Sequence, residues 1–163
     1  MAKELEKRLL RELLKNSKRS DRDLAKILKV SQATITRTRH KLERNGMIQD
    51  YTIIPDFTQM GFEILDLTFV KLRSDILKPQ TMKKVKEYAL KFPNSIFTAL
   101  GEGFGMNGVV ISFHKNYTEY HQGLNQLRLD WKDYTDDIQS FVVSLKTGVV
   151  KKFSTTYLKD VPI

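Results

Sequence analysis

Residues 20–48 read SDRDLAKILKVSQATITRTRHKLERNGMI. Two serines with helix-start character, Ser20 and Ser31, stand eleven positions apart. Asp23 is placed to complete a capping box with Ser20. Leu24, Ile27 and Leu28 give the helix that follows a buried side. Ser31 caps a further helix that runs to about Asn45, and Gly46 fits the left-handed position just past its end. Only Lys29-Val30-Ser31 separates the two helices, so the connection is a tight turn. This spacing predicts a helix-turn-helix, whose second helix enters the major groove of DNA.

Upstream, Leu5, Leu9, Leu10, Leu13 and Leu14 recur at helical spacing and predict a first helix over about 4–15, which Asn16-Ser17-Lys18-Arg19 ends. Downstream, Met47–Ile54 is rich in β-branched and aromatic residues and reads as a wing strand. Pro55-Asp56 starts a turn and Gly61 ends it. The reading is a helix-turn-helix domain over 1–54, a short hinge over 55–61 and a second domain over 62–163.

In that second domain, 62–72 reads as a strand and Pro79–Phe92 as a helix with Met82, Val85, Ala89 and Phe92 on one face. Ser95–Leu100 and Val109–His114 are strands around a Gly-rich loop, Gly101–Gly108. Asn116 caps a helix, with Glu119 to close its box and Tyr117, Tyr120, Leu124, Leu127 and Trp131 as its apolar stripe. Ile138–Leu145 is a strand, and 149–157 reads as another. The order β-α-β-β-α-β is the ferredoxin-like plan. The fold class is therefore α+β, a winged helix-turn-helix followed by a βαββαβ domain.

In an ideal helix Ile35 and Leu42 face the core, and at about 100° per residue Ala33, Thr36, Arg37, His40 and Arg44 fall opposite. Gln32 and Thr34 lie in the first turn, where recognition helices approach base edges. Arg37 suits guanine through two donors, and Gln32 suits adenine in the same way. Thr34 and Thr36 suit a thymine methyl or a phosphate, and Ser31, at the cap, is counted with the DNA-binding residues. Lys41, Arg44, Lys18 and Arg19 suit phosphates, which position the protein and make its affinity depend on salt.

Charge supports a polyanionic partner. The chain carries a net +9 with a pI near 9.7. Residues 1–60 hold 14 Lys/Arg against 8 Asp/Glu, and 61–163 hold 14 against 11. The excess is thus concentrated in the helix-turn-helix part. With no cysteine, a disulfide scaffold and a thiolate metal site are excluded. No apolar run reaches a membrane span, and the first residues lack a signal-peptide core, so a cytoplasmic protein is expected. His114 and His121 are too isolated for a metal site, Asp136-Asp137 starts a turn, and no catalytic set emerges from spacing. The expectation is no enzyme, no cofactor and no metal.

The first 60 residues resemble the Lrp/AsnC (feast/famine) family of transcription regulators. The family's opening is matched by Glu6, Leu9-Leu10, Leu13 and Asn16, its second helix by Leu24-Ala25 and Leu28. Its recognition helix is matched by Ser31, Thr34, Ile35 and Leu42, and its exit by Glu43, Gly46, Ile48 and Tyr51. The resemblance continues as architecture through 62–145, since that family carries a βαββαβ (RAM-type) effector and assembly domain. It implies a bacterial or archaeal regulator that binds pseudo-palindromic double-stranded DNA as a homodimer or higher homo-oligomer, with a small-molecule effector.

Three departures stand out. Thr38 replaces the family's usual Arg. Arg39 replaces an apolar residue at the edge of the core face, where its stem should pack and its guanidinium emerge. The family's strand-connecting loop ends in an Asp that supports an amino-acid effector, and here Gly108 falls at that place, with Glu102 the acid nearby. The loop has two readings. Gly101, Glu102, Gly103, Gly105, Asn107 and Gly108 form an effector site at a subunit interface, or the glycines simply let a hairpin turn. Two other functions compete: a sirohaem-decarboxylase-like subunit, for which arginine beyond residue 60 is scarce (Arg73 and Arg128), and a partner modulator that has lost DNA binding.

Overall fold

Helices α1 (Ala2–Lys15), α2 (Asp21–Leu28) and α3 (Gln32–Arg44) form where the caps and the apolar period place them. The computed structural model describes residues 2–76 and 78–161. Ser20 accepts the Asp23 N–H at 3.2 Å and donates its hydroxyl to the Asp23 carboxylate at 2.6 Å, which closes the cap of α2. Ser31 accepts the Thr34 N–H at 3.1 Å and starts α3 in the same manner. Gly46, at φ +70°, ends α3 while Met47 N–H returns to the Leu42 carbonyl at 2.9 Å, the left-handed exit that glycine permits.

The apolar stripes of the three helices close one core. Leu9, Leu24 and Ile35 are fully buried, with Leu13, Ala25, Leu28 and Leu42 beside them. Ile27 departs from expectation and is exposed. At about 100° per residue it lies roughly 100° from the centre of the arc that Leu24, Ala25 and Leu28 already fill.

Two expected strands do not form. Residues 47–54 bend at Met47–Ile48 and then take no regular structure, and the four strands among the described residues pair with one another. Residues 149–157 likewise form no strand. Beyond the turn at Gly148, Ser154 caps a short 3-10 helix, Thr155–Asp160, which lies against α1. The chain accordingly divides at Ile54/Pro55 and again at Lys151/Lys152, with the last segment grouped with the helices. The second unit is thus 55–151, and not the whole of 62–163. The expected hinge begins it, turning through Phe57–Gly61, where Asp56 accepts the Thr58 and Gln59 N–H groups.

The second unit is β1 (Ile64–Leu72), α4 (Pro79–Ala89), β2 (Ser95–Gly103), β3 (Met106–His114), α5 (Tyr117–Trp131) and β4 (Thr135–Ser144). The strands form one antiparallel sheet in the order β2-β3-β1-β4, as the βαββαβ plan requires. Even positions of β1 face the helices: Ile64, Val70 and Leu72 pack with Tyr120, Leu124, Trp131 and Ile138. The stripe on α4 is only half-buried, and no residue of that helix is buried. A cavity of about 700 Å³ separates it from the sheet. The expected Gly101–Gly108 loop is mostly strand. Only Phe104 and Gly105 turn, both at positive φ (+54° and +72°), which is the hairpin geometry that matches strand twist.

Candidate nucleic-acid interface

The turn between α2 and α3 is made without glycine. Lys29 takes the left-handed conformation (φ 56°, ψ 48°), and its N–H and that of Val30 return to carbonyls of α2. Val30 packs on the core and fixes the crossing of the two helices. On α3 the buried Ile35 and Leu42 stand opposite Ala33, Arg37, His40 and Arg44, all exposed, so the stripe expected to meet DNA faces outward.

Six of the expected DNA contacts already have partners within the chain. Ser31 and Thr34 share the cap, their hydroxyls 2.8 Å apart. Thr36 donates to the Asp21 carboxylate at 2.7 Å and so points to α2. Lys41 reaches back to Glu6 of α1 at 2.6 Å, and Arg19 is paired with Glu12. His40 lies 3.0 Å from Glu43 through Nδ1. Gln32, Arg37, Arg44 and Lys18 are exposed, and among the described residues none of the four has an ion-pair partner.

Arg39 behaves differently from the sequence reading. Its guanidinium does not emerge. It binds Asp21 through Nε at 2.8 Å and Nη2 at 2.7 Å, donates to the Tyr51 hydroxyl at 3.2 Å, and lies 5.7 Å from that ring's centre. Tyr51 donates in turn to Glu43 at 2.9 Å. One network therefore ties the start of α2, the middle of α3 and the segment after it. Burial pushes the Asp21 carboxyl up, but the bonds from Thr36 and Arg39 and the charge of Arg39 outweigh it and hold it below the usual range. Asp21 and Tyr51 were missed as positioning residues. The available signal was an arginine at a core-edge position together with an acid in the first turn of the neighbouring helix. Arg22, exposed on α2, was also missed, although the first helix of such a pair crosses the DNA backbone.

In the second unit the expected effector residues part company. Gly101 and Gly103 lie in β2 with Glu102 between them, all exposed, and Gly105 is in the turn. Asn107 is committed: it accepts the Leu72 N–H at 2.7 Å and donates to the Leu72 carbonyl at 2.8 Å. Gly108 lies in β3, paired with Val70 and Leu100. Of the two arginines there, Arg73 bonds Asp75 and Arg128 donates to the Ile138 carbonyl. No group of metal-ligating side chains occurs among the described residues, and no helix among them is long and apolar enough to cross a membrane.

Residues 3–49 match the family described as winged helix-turn-helix DNA-binding. An HTH-type transcriptional regulator of Pyrococcus abyssi is 31% identical over 87 residues, 53% of this chain and 54% of that protein. The chain spans about half the length of the curated relatives it matches. An AsnC family transcriptional regulator from Agrobacterium tumefaciens superposes over 93% of both chains with a TM-score of 0.78 at 18% identity. The chain has the Lrp/AsnC fold. A transcriptional regulator from Neisseria meningitidis, solved as a complex with L-Met, shares that fold over 93% of both chains with a TM-score of 0.78 at 15% identity. The Lrp/AsnC resemblance of the helix-turn-helix residues thus extends, as architecture, over 93% of the chain.

Proposed function

We propose that this protein is a sequence-specific regulator of transcription that acts in the cytoplasm as a homodimer or higher homo-oligomer on pseudo-palindromic DNA. The exposed stripe Ala33, Arg37, His40 and Arg44, opposite the buried Ile35 and Leu42, carries the proposal. Arg37 reads a guanine and Gln32 an adenine. Arg44, Lys18 and Arg22 hold phosphates, with Ser31 and Thr34 at the first turn beside them. Thr36, Lys41 and Arg19 position the helices through their acidic partners. Two copies of α3 read half-sites about one helical turn apart.

Support for a dimer comes from the sheet face turned away from the helices. Phe97, Ile111, Leu67 and Phe141 line up across all four strands, and Phe97 and Phe141 are 52% and 63% exposed. An uncovered apolar row of this kind marks an interaction surface. For an effector, the L-Met of the Neisseria neighbour is the precedent. No carboxylate stands at Gly108 here, so Glu102 and the backbone of Gly101, Gly103 and Gly105 are its contacts, closed over by a second chain.

Selection of genomic DNA fragments by the purified protein at two salt concentrations tests this function. A shared pseudo-palindrome that survives the higher salt is expected. Salt-labile capture with no common motif would reduce the contact to charge alone.

A further inference from the structure

The helix-facing positions of β1 read Ile64, Asp66, Thr68, Val70, Leu72. Two of the five are polar, on a face that otherwise builds a core. Asp66 and Thr68 are each 3% exposed, and Ser112 and His114 join them from β3. These groups form a connected set. The Asn94 amide donates to the Phe113 carbonyl and lies 3.3 Å from His114 Nδ1, which makes that nitrogen the acceptor. The Nε2–H then donates to Ser112 at 3.0 Å. Thr68 donates to Asp66 Oδ2 and lies 2.8 Å from the Ser140 hydroxyl.

One acceptor is left over. Asp66 Oδ1 is buried with no hydrogen-bond partner. A buried carboxylate oxygen without a partner is costly, and such groups call for an explanation. Burial raises the Asp66 carboxyl above its usual range, against the hydroxyls of Thr68, Ser140 and Ser112 and the charge of His114. Burial also lowers His114, against the opposing pull of Asp66 and Glu119. Among the described residues no lysine or arginine pairs with Asp66.

Asp66 lies in the wall of the 700 Å³ cavity beneath α4. That volume is in the range of small-molecule sites, which combine apolar walls with a few convergent polar groups. The opposite walls are apolar and aromatic, including Val85, Tyr88, Phe92, Leu124 and Trp131. Lys86, the cation of the wall, is exposed. We propose that this cavity, inside one protomer and apart from the β2–β3 hairpin, binds a small arylalkyl amine whose ammonium is received by Asp66. The aromatic walls take the ring, and the ammonium gives Oδ1 its donor and the carboxylate its counter-charge.

The test needs no DNA, so it stands whether or not the regulator function does. Trp131 is the chain's single tryptophan and lies in the cavity wall. Titration of the full chain with 2-phenylethylamine should change its emission saturably. The neutral isostere 2-phenylethanol should bind about tenfold more weakly or worse, as should the amine to Asp66→Asn, for loss of one charge-assisted contact. Ala89→Phe, which fills the cavity from α4 without touching Asp66, should abolish binding while the far-ultraviolet circular dichroism is unchanged. Equal affinity for amine and alcohol, wild-type affinity in Asp66→Asn, unchanged binding in Ala89→Phe, or no saturable signal in the wild type would each overturn the proposal. Should Asp66→Asn fail to fold, the amine–alcohol pair and Ala89→Phe decide it.

Discussion

Asp21 in the helical unit and Asp66 in the sheet unit are both shielded carboxylates, and their surroundings are opposite. Asp21 accepts from Thr36 on one oxygen and from Arg39 on the other, and its carboxyl is held low. Asp66 accepts from Thr68 on one oxygen, has nothing on the other, and is pushed up by burial. The helical unit spends its polar groups on fixing the angle between α2 and α3. The sheet unit leaves a buried carboxylate oxygen without a partner in the wall of a cavity. Rigidity belongs where a helix must fit a groove, and unsatisfied polarity belongs where a ligand can complete it.

Packing should follow the same division, and this gives the largest effects. Leu24 is fully buried among three helices, whereas Leu124 lines the cavity. Leu24→Ala should cost about 4–5 kcal/mol and Leu124→Ala about 2–3, because space opened beside an existing cavity adds little new void. Urea unfolding of both variants measures the difference, and a reversed order would break the comparison.

Next in size is the Asp21 clamp. Arg39→Met should cost about 1–3 kcal/mol, since it strands a partly buried carboxylate. It should also weaken DNA binding on every sequence, because α3 loses its anchor to α2. Arg37→Ala should instead leave stability within about 0.5 kcal/mol. On the cognate site it should cost about 1–3 kcal/mol and relax specificity at one base pair. Binding isotherms on cognate and scrambled sites separate the two. Equal losses for Arg37→Ala on both would make it a phosphate contact.

How much of this was legible beforehand depended on where the partner lies. Ser20, Ser31, Gly46, Ile35 and Leu42 carry their meaning in local spacing, so the two helices and the outward stripe could be read directly. The β-branched runs 47–54 and 149–157 could not, because composition does not reveal whether a ladder partner exists. Arg39, Lys41 and Arg19 were read as emerging or phosphate-bound. Their acids, Asp21, Glu6 and Glu12, sit on other helices or seven residues back in the chain. The stripe of Met82, Val85, Ala89 and Phe92 looks like core in any helical projection. Nothing in its period says that the sheet beneath carries Asp66 and Thr68.

The two carboxylates should also part in acid. Asp21, with its folded pKa below the unfolded value of about 3.9, contributes stability that is full above that value and lost as pH falls through the lowered folded pKa. Asp66 runs the other way: its raised folded pKa means that stability declines as pH rises from the unfolded value through the folded one, and the penalty is complete above it. Melting temperature against pH should therefore fall less in acid for Asp21→Asn than for the wild type. In Asp66→Asn it should gain at neutral pH relative to acid. Parallel curves for both variants and the wild type would erase the contrast.

The smallest effect concerns Lys41. On charge and position it faces a phosphate, yet its ammonium lies 2.6 Å from Glu6, with side chains 47% and 19% exposed. A partly solvated pair of this kind is worth under about 1 kcal/mol, so Lys41→Ala should barely move the unfolding midpoint. Because the charge is already neutralised by Glu6, the slope of log affinity against log salt should stay nearly constant. Glu6→Ala would release the ammonium toward the nucleic acid and steepen the slope by up to about one. A slope that instead falls by about one in Lys41→Ala would place Lys41 on a phosphate, and would mean that α1 yields its staple when α3 enters the groove.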